Sequence, residues 1–151
     1  MIDSLLKAYD WFDHPDGPYF FVETHRDKYR TSGHWLFLPG SFSSFHKVNN
    51  NDELWLIHMG ELLVHILDPD GNHRSLLLGT DINSGELPVA NVPTGYWQAA
   101  ELPDKVPFAF GTNVCAPAFS FDEFSIADRD SLLADYPNNK ELILRLTRIS
   151  E

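Results

Sequence analysis

The chain has a single cysteine, Cys115, so no intrachain disulfide can staple it. That agrees with a reducing compartment. Basic residues are also scarce: 11 Lys and Arg stand against 22 Asp and Glu, for a net charge of −11. With no Lys/Arg cluster to track a phosphate backbone, nucleic acid is not an expected partner. Apolar runs are short, none approaching the roughly 18 to 20 residues that cross a bilayer. The opening MIDSLLKAYDWF lacks a basic segment followed by an apolar one, so no secretory leader is expected. A cytoplasmic protein without a membrane partner is the expectation. Whole-chain repeats and low-complexity tracts are absent as well.

What is present suits one core. The chain has 151 residues, 43% of them hydrophobic, with eleven Phe and four Trp, and a single domain spanning residues 1–151 is expected. Ile2, Leu5, Leu6, Tyr9 and Phe12 recur at helical spacing behind Asp3, which predicts a short amphipathic helix with Asp3 as N-cap. The segment HPDGP, His14 to Pro18, reads as a turn. From there to Phe124, short apolar or alternating runs separated by Gly, Pro and Asn predict strands: YFFVETH, HWLFL, SSFHKV, ELWLIHM, ELLVHIL, RSLLL, PVANVP, YWQAA, FAFGTNVC and FSFDEF. About ten strands at such spacing imply an all-β sandwich or barrel. The tail returns to helix, first over Asp128 to Asp135 and then from Pro137 with Leu142, Ile143, Leu146 and Ile149 on one face, and both helices are expected to pack outside the barrel.

One constellation carries chemistry. Gly40 is followed after five residues by His46, after six more by Glu53, and after six more by Gly60. Strand alternation then predicts His46 on one strand and Glu53 on its neighbour beyond the turn Asn49-Asn50-Asn51, with Trp55 and Ile57 continuing the face of Glu53. A later segment, GELPVANVPTGYWQ, brings Pro93, Gly95, Tyr96 and Gln98 to a second turn and strand.

The spacing Gly, His, Glu, Gly resembles the first cupin motif, and VPTGYWQ resembles the second, with Gln98 where cupins usually place a histidine. The chain more specifically resembles the cupin 5 (DUF985) family through HPDGPYFFVETHR, FHKVNNNDELWLIHMGELLVHILDPDG, LLLGTDINSGELPVANVPTGYWQAA, CAPAFSFDEF and LLADYPNNKELILRL. The resemblance implies a homodimeric double-stranded β-helix, or jelly-roll barrel, with a small-molecule pocket at its mouth and no established reaction. Departures bear on the site. Val48 and Gln98 replace two of the usual metal-binding histidines, so a metal would be left with His46, Glu53 and the amide oxygen of Gln98, a poor donor set for borderline metals. A metal cofactor is therefore not favoured. In addition, HPDGPYFFVET is one residue longer than the family form, and Ala118 stands where glycine is usual.

A lone histidine on an apolar strand ordinarily reads as a core residue, but its spacing to Glu53 marks His46 as functional. Glu53 is itself expensive to bury without a partner. The expected pair is a general base, His46, oriented by Glu53, with Tyr96 or Gln98 stabilising an oxyanion and Tyr96 able to return a proton. Trp55 and Trp97 are candidates for stacking on a flat ligand, and Gln98 for hydrogen bonding to it. Arg26 is the candidate to hold an anionic group. His58 falls on the face opposite Glu53, His65 and His73 read as residues of a solvated hairpin, and Cys115 reads as a packing thiol. The function expected is a metal-independent isomerase, epimerase or lyase acting on a sugar, a nucleotide-sugar or a small carboxylated metabolite. A ligand-binding module without turnover and a metal-dependent oxygenase or hydro-lyase are the alternatives.

Overall fold

A computed structural model describes residues 1–149. It opens with helix α1 (Ile2–Ala8) and continues through strands β1 (Phe12–Asp13), β2 (Phe20–Arg26), β3 (Thr31–Phe37), β4 (Phe42–Val48), β5 (Asp52–Gly60), β6 (Leu62–Leu67), β7 (His73–Leu78), β8 (Val89–Val92), β9 (Trp97–Glu101), β10 (Ala109–Ala116) and β11 (Phe124–Ile126). It closes with helices α2 (Arg129–Asp135) and α3 (Lys140–Arg145). The strands form two antiparallel sheets, ordered β1-β2-β3-β10-β5-β8 and β11-β4-β9-β6-β7. This is the all-β jelly roll that the strand pattern and the resemblance imply.

Period-two alternation decides what lies between the sheets. On β5, Glu53, Trp55 and Ile57 are buried while Asp52, Leu54 and His58 are exposed. Trp35, Phe37, Trp55, Ile57, Leu62, Val64, Ile66, Leu78 and Val92 fill the inner layer, with Trp35 and Trp55 in contact at 5.8 Å between ring centroids. Close approach of the backbone is written into two glycines. A Cβ on Gly111 would lie 2.2 Å from the Leu56 carbonyl oxygen and 2.3 Å from the Trp35 ring, and one on Gly33 would lie 2.1 Å from the Phe21 ring.

The helices cover outer faces. Leu132, Tyr136, Ile143 and Leu146 of the C-terminal segment pack on Phe45, Leu67 and Ala99, and Leu5 of α1 packs on Leu36 and Phe110. Asp128 caps α2 by accepting from the Ser131 amide at 2.9 Å. No described helix is long and apolar enough to cross a membrane.

Four local expectations are corrected. Helix α1 starts at Ile2 with Met1 as its N-cap, which puts Asp3 in the first turn instead, where a carboxylate still favours the helix dipole. Only Phe124 of FSFDEF is strand, where β11 begins; Phe121–Glu123 forms a 3-10 turn whose Ser120 hydroxyl accepts from the Asp122 amide. Ile149 is exposed, because α3 ends at Arg145 before its apolar face reaches that far. The fourth affects the site: β4 and β5 belong to different sheets, so Asn49–Asn51 is a crossover between layers and not a hairpin turn. His46 and Glu53 are therefore on opposite layers of the sandwich.

Candidate active site

A cleft of about 680 Å³, its open mouth included, lies between the sheets and is lined by His14, Tyr19, His46, Glu53, Asn113 and Cys115, with Phe12, Phe21, Phe119 and Phe121 toward its aromatic walls.

Behind its His14 and His46 wall is a carboxylate that the sequence disguises. Asp16 sits in the turn HPDGP, flanked by Pro15 and Gly17, and is fully buried. The turn docks onto β4, where the Asp16 carbonyl accepts from the Ser44 amide and hydroxyl at 2.8 Å each, and Arg148 donates to the Gly17 carbonyl. One Asp16 oxygen meets His14 Nδ1. The other lies 2.8 Å from His46 Nδ1 and accepts from the Ser43 hydroxyl at 2.9 Å. His46 Nδ1 is also 2.8 Å from the Ser44 carbonyl. Both close neighbours are acceptors, so Nδ1 carries the proton and Nε2 is the atom left for the cleft, without a hydrogen-bond partner among the described residues.

Glu53 faces this assembly from the other sheet. Its Oε2 accepts from Asn113 Nδ2 at 2.7 Å, and its Oε1 from the Cys115 thiol at 3.4 Å. Asn113 is fixed in turn by accepting from Trp35 Nε1 at 2.7 Å. Strand β10, hydrogen-bonded to β3 on one side and β5 on the other, carries both Glu53 partners on its inner face.

The electrostatics sort these groups. Burial by itself disfavours a charged Asp16, but the His46 charge and hydrogen bonds from His14 and His46 outweigh it and hold the carboxyl well below the usual range. Burial likewise opposes a charged His46, and the Asp16 charge and hydrogen bond overcome it, raising the imidazole to about 9. Glu53 is shifted the other way: burial pushes its carboxyl above the ordinary value of 4.5, although the His46 charge and the Cys115 thiol oppose the rise. Burial and the neighbouring Glu53 keep Cys115 a thiol, a donor and not a nucleophile. The arrangement presents a protonated imidazole and a carboxylate of raised basicity to one cleft.

The structure thus brings His46, Glu53 and Arg26 to the cleft and keeps the other expected residues elsewhere. Trp55 is core, and its Nε1 donates to Gln98 Oε1 at 2.7 Å, which occupies the oxygen that a metal would need. Gln98 is cross-strand from His46 yet outside the cleft wall. No group of three His, Cys, Asp or Glu side chains suited to a metal occurs among the described residues, so the donors present do not fit the cupin metal site. Tyr96 packs against the inner core. Trp97 points to the outer face, beneath Lys47, whose Nζ lies 4.6 Å from its ring centre. Arg26 is bound through Nε and Nη2 to Glu23 at 3.0 and 2.9 Å, and through Nη1 to the Phe119 carbonyl at 2.9 Å.

Four histidines outside the cleft also take definite places. His58 shares the outer face with His34, both bonded to the Thr112 hydroxyl, at 2.7 and 2.8 Å. His65 is not a solvated hairpin residue: it is buried, with Nε2 3.0 Å from Glu101 and Nδ1 3.1 Å from His73.

Comparison with known proteins agrees with the fold. The sequence matches the family described as Cupin superfamily (DUF985) over residues 3–127. A solved protein from Shewanella oneidensis is 27% identical, with a TM-score of 0.90 and 98% of each chain covered. A hypothetical protein from Leishmania major is 21% identical at a TM-score of 0.89, over 97% of this chain and 98% of that one. A Streptomyces protein described as a nucleoside dehydratase shares only the fold, at 9% identity and a TM-score of 0.55 over 78% of this chain and 83% of that one. Comparison with curated proteins gives no match.

Proposed function

The chain belongs to the DUF985 family of the cupin superfamily, and from that premise we propose that its cleft performs metal-independent acid–base chemistry on a small hydroxylated carbonyl compound, as a lyase or isomerase. The observation that carries this reading is the opposed pair: His46, protonated through Asp16, on one sheet and Glu53 on the other. Relative to the roles expected from sequence, acid and base are exchanged. Asp16 orients His46 and holds it charged, so His46 donates a proton at neutral pH and Glu53 accepts one.

In an elimination, Glu53 takes the proton from the carbon next to the carbonyl as the C–H bond breaks. The electron pair forms the C=C bond, the C–O bond to the β-hydroxyl breaks, and His46 Nε2 protonates the departing oxygen, so that water leaves. Glu53 has then gained a proton and His46 has lost one, and exchange with solvent resets both. In an isomerisation the same imidazole returns its proton to carbon. The Streptomyces dehydratase supports the class of reaction, since its cupin-like fold is described with a dehydration.

A screen of hydroxylated aldehydes and ketones for water loss, or for proton exchange with deuterated solvent, tests the proposal. Turnover should fall by about 10² to 10⁴ in Glu53→Gln and in His46→Asn, with ligand affinity retained. Affinity loss without any turnover to lose would establish a binding module instead.

A further inference from the structure

The charges around the cleft are paired before any ligand arrives. Arg26 is the only lysine or arginine lining it, and Glu23 takes two of its guanidinium nitrogens while the Phe119 carbonyl takes a third. The two imidazoles share one carboxylate, Asp16. Glu23 and Glu53 stand in the wall, and the chain as a whole carries −11. An incoming phosphate or carboxylate therefore meets negative potential, with the Arg26 guanidinium already engaged by Glu23 and the His46 charge balanced by Asp16.

The mouth offers something else. Phe12 and Phe121 line the cleft while 46% and 58% exposed, large apolar side chains left open where a buried position is normal. Phe12 packs edge-on against Phe21 at 5.6 Å and Phe121 edge-on against Phe119 at 4.9 Å. His14 lies within 6.5 Å of Phe12 and 6.3 Å of Phe121, so the two aromatic pairs flank one imidazole. Deeper in, the hydrogen-bonding groups are His46, Asn113 and Glu53.

We propose that the cleft selects an uncharged molecule with a flat ring at one end and hydroxyl groups at the other, in the manner of a free nucleoside or an aryl glycoside, and discriminates against phosphorylated or carboxylated forms. The ring lies at the Phe12–Phe21 and Phe119–Phe121 pairs, and the hydroxyls reach His46, Asn113 and Glu53. This rests on the cleft being the ligand site proposed above and is independent of which residue is acid or base.

Titration by calorimetry and by NMR with uridine, phenyl β-glucoside, uridine 5′-monophosphate and ribose tests it. At least one ring-bearing neutral probe should saturate the cleft, with the monophosphate and ribose each about tenfold weaker or worse. Phe121→Ala should weaken the ring-bearing probes about threefold to tenfold and leave ribose unchanged. Glu23→Gln, which frees the Arg26 guanidinium, should improve the monophosphate about tenfold. Equal or tighter binding of the monophosphate by the unaltered protein, equal binding of ribose, or no saturation by either neutral ring probe overturns the proposal. The unaltered protein separates the two readings: saturable uridine or glucoside binding with no turnover of any substrate removes the acid–base chemistry and leaves the ligand class standing.

Discussion

Asp16 Oδ2 lies 2.8 Å from His46 Nδ1, joining a turn near the start of the chain to a strand that begins at Phe42. The contact fixes the tautomer of His46, its orientation and its charge. Removing the carboxylate should be felt in all three.

Asp16→Ala leaves two imidazoles and the Ser43 hydroxyl without their acceptor in a buried site, and should destabilise the fold by about 3 to 5 kcal/mol. Asp16→Asn keeps the shape and an acceptor oxygen but removes the charge. In that variant the His46 imidazole should titrate below about 9, toward its ordinary value of 6.5, as read by NMR of the ring protons.

Stability should depend on pH at both ends. His46 has a folded value raised to about 9 from 6.5, so its contribution is complete below 6.5 and is lost as pH rises through about 9. Asp16 is depressed, so its contribution is present above 3.8 and is lost as pH falls below that value. Urea midpoints measured across pH should therefore form a plateau between the two, and His46→Asn should flatten the alkaline decline.

The pH dependence of turnover should be a bell. The proposed chemistry requires His46 protonated, which sets an alkaline limb near 9, and Glu53 ionised, which sets an acid limb above 4.5. Reversed roles, with neutral His46 as the base, would instead make activity rise through pH 9.

Gly33→Ala and Gly111→Ala should separate a movable obstacle from a fixed one. The Gly33 Cβ would strike the Phe21 ring in the cleft wall, whereas the Gly111 Cβ would strike the Leu56 backbone and the buried Trp35. Overpacking of about 1 to 3 kcal/mol is expected at Gly33, with altered ligand affinity and rescue by Phe21→Leu; Gly111→Ala should be worse and show no such rescue. Thermal and chemical denaturation of the three variants checks this.

The sequence made the architecture legible because alternation and turn residues are local signals. Every predicted strand run overlaps an observed strand, and the inward positions of Glu53, Trp55 and Ile57 follow from period two. The lining of the cleft was legible in His46 and Glu53, where spacing along one segment carried it, and in Arg26 on an early strand. Asp16 was hidden because an aspartate between proline and glycine is what any exposed turn looks like, and only docking of that turn on Ser43 and Ser44 buries it. Asn113 and Cys115 were hidden for a different reason, since they reach Glu53 through strand pairing across 60 and 62 residues, information that no short window contains. Tyr96, Trp97 and Gln98 show the converse: sharing one turn and strand did not place any of them in the cleft wall.

Because the chain crosses from one layer to the other between His46 and Glu53, the gap between proton donor and proton acceptor is a property of how thickly the sandwich is filled. Trp35 and Trp55, packed between the layers, act as spacers for the proposed reaction. Shaving them should alter the spacing of the two sheets as well as stability through lost packing, so that the interior of this barrel sets a distance and not cohesion alone.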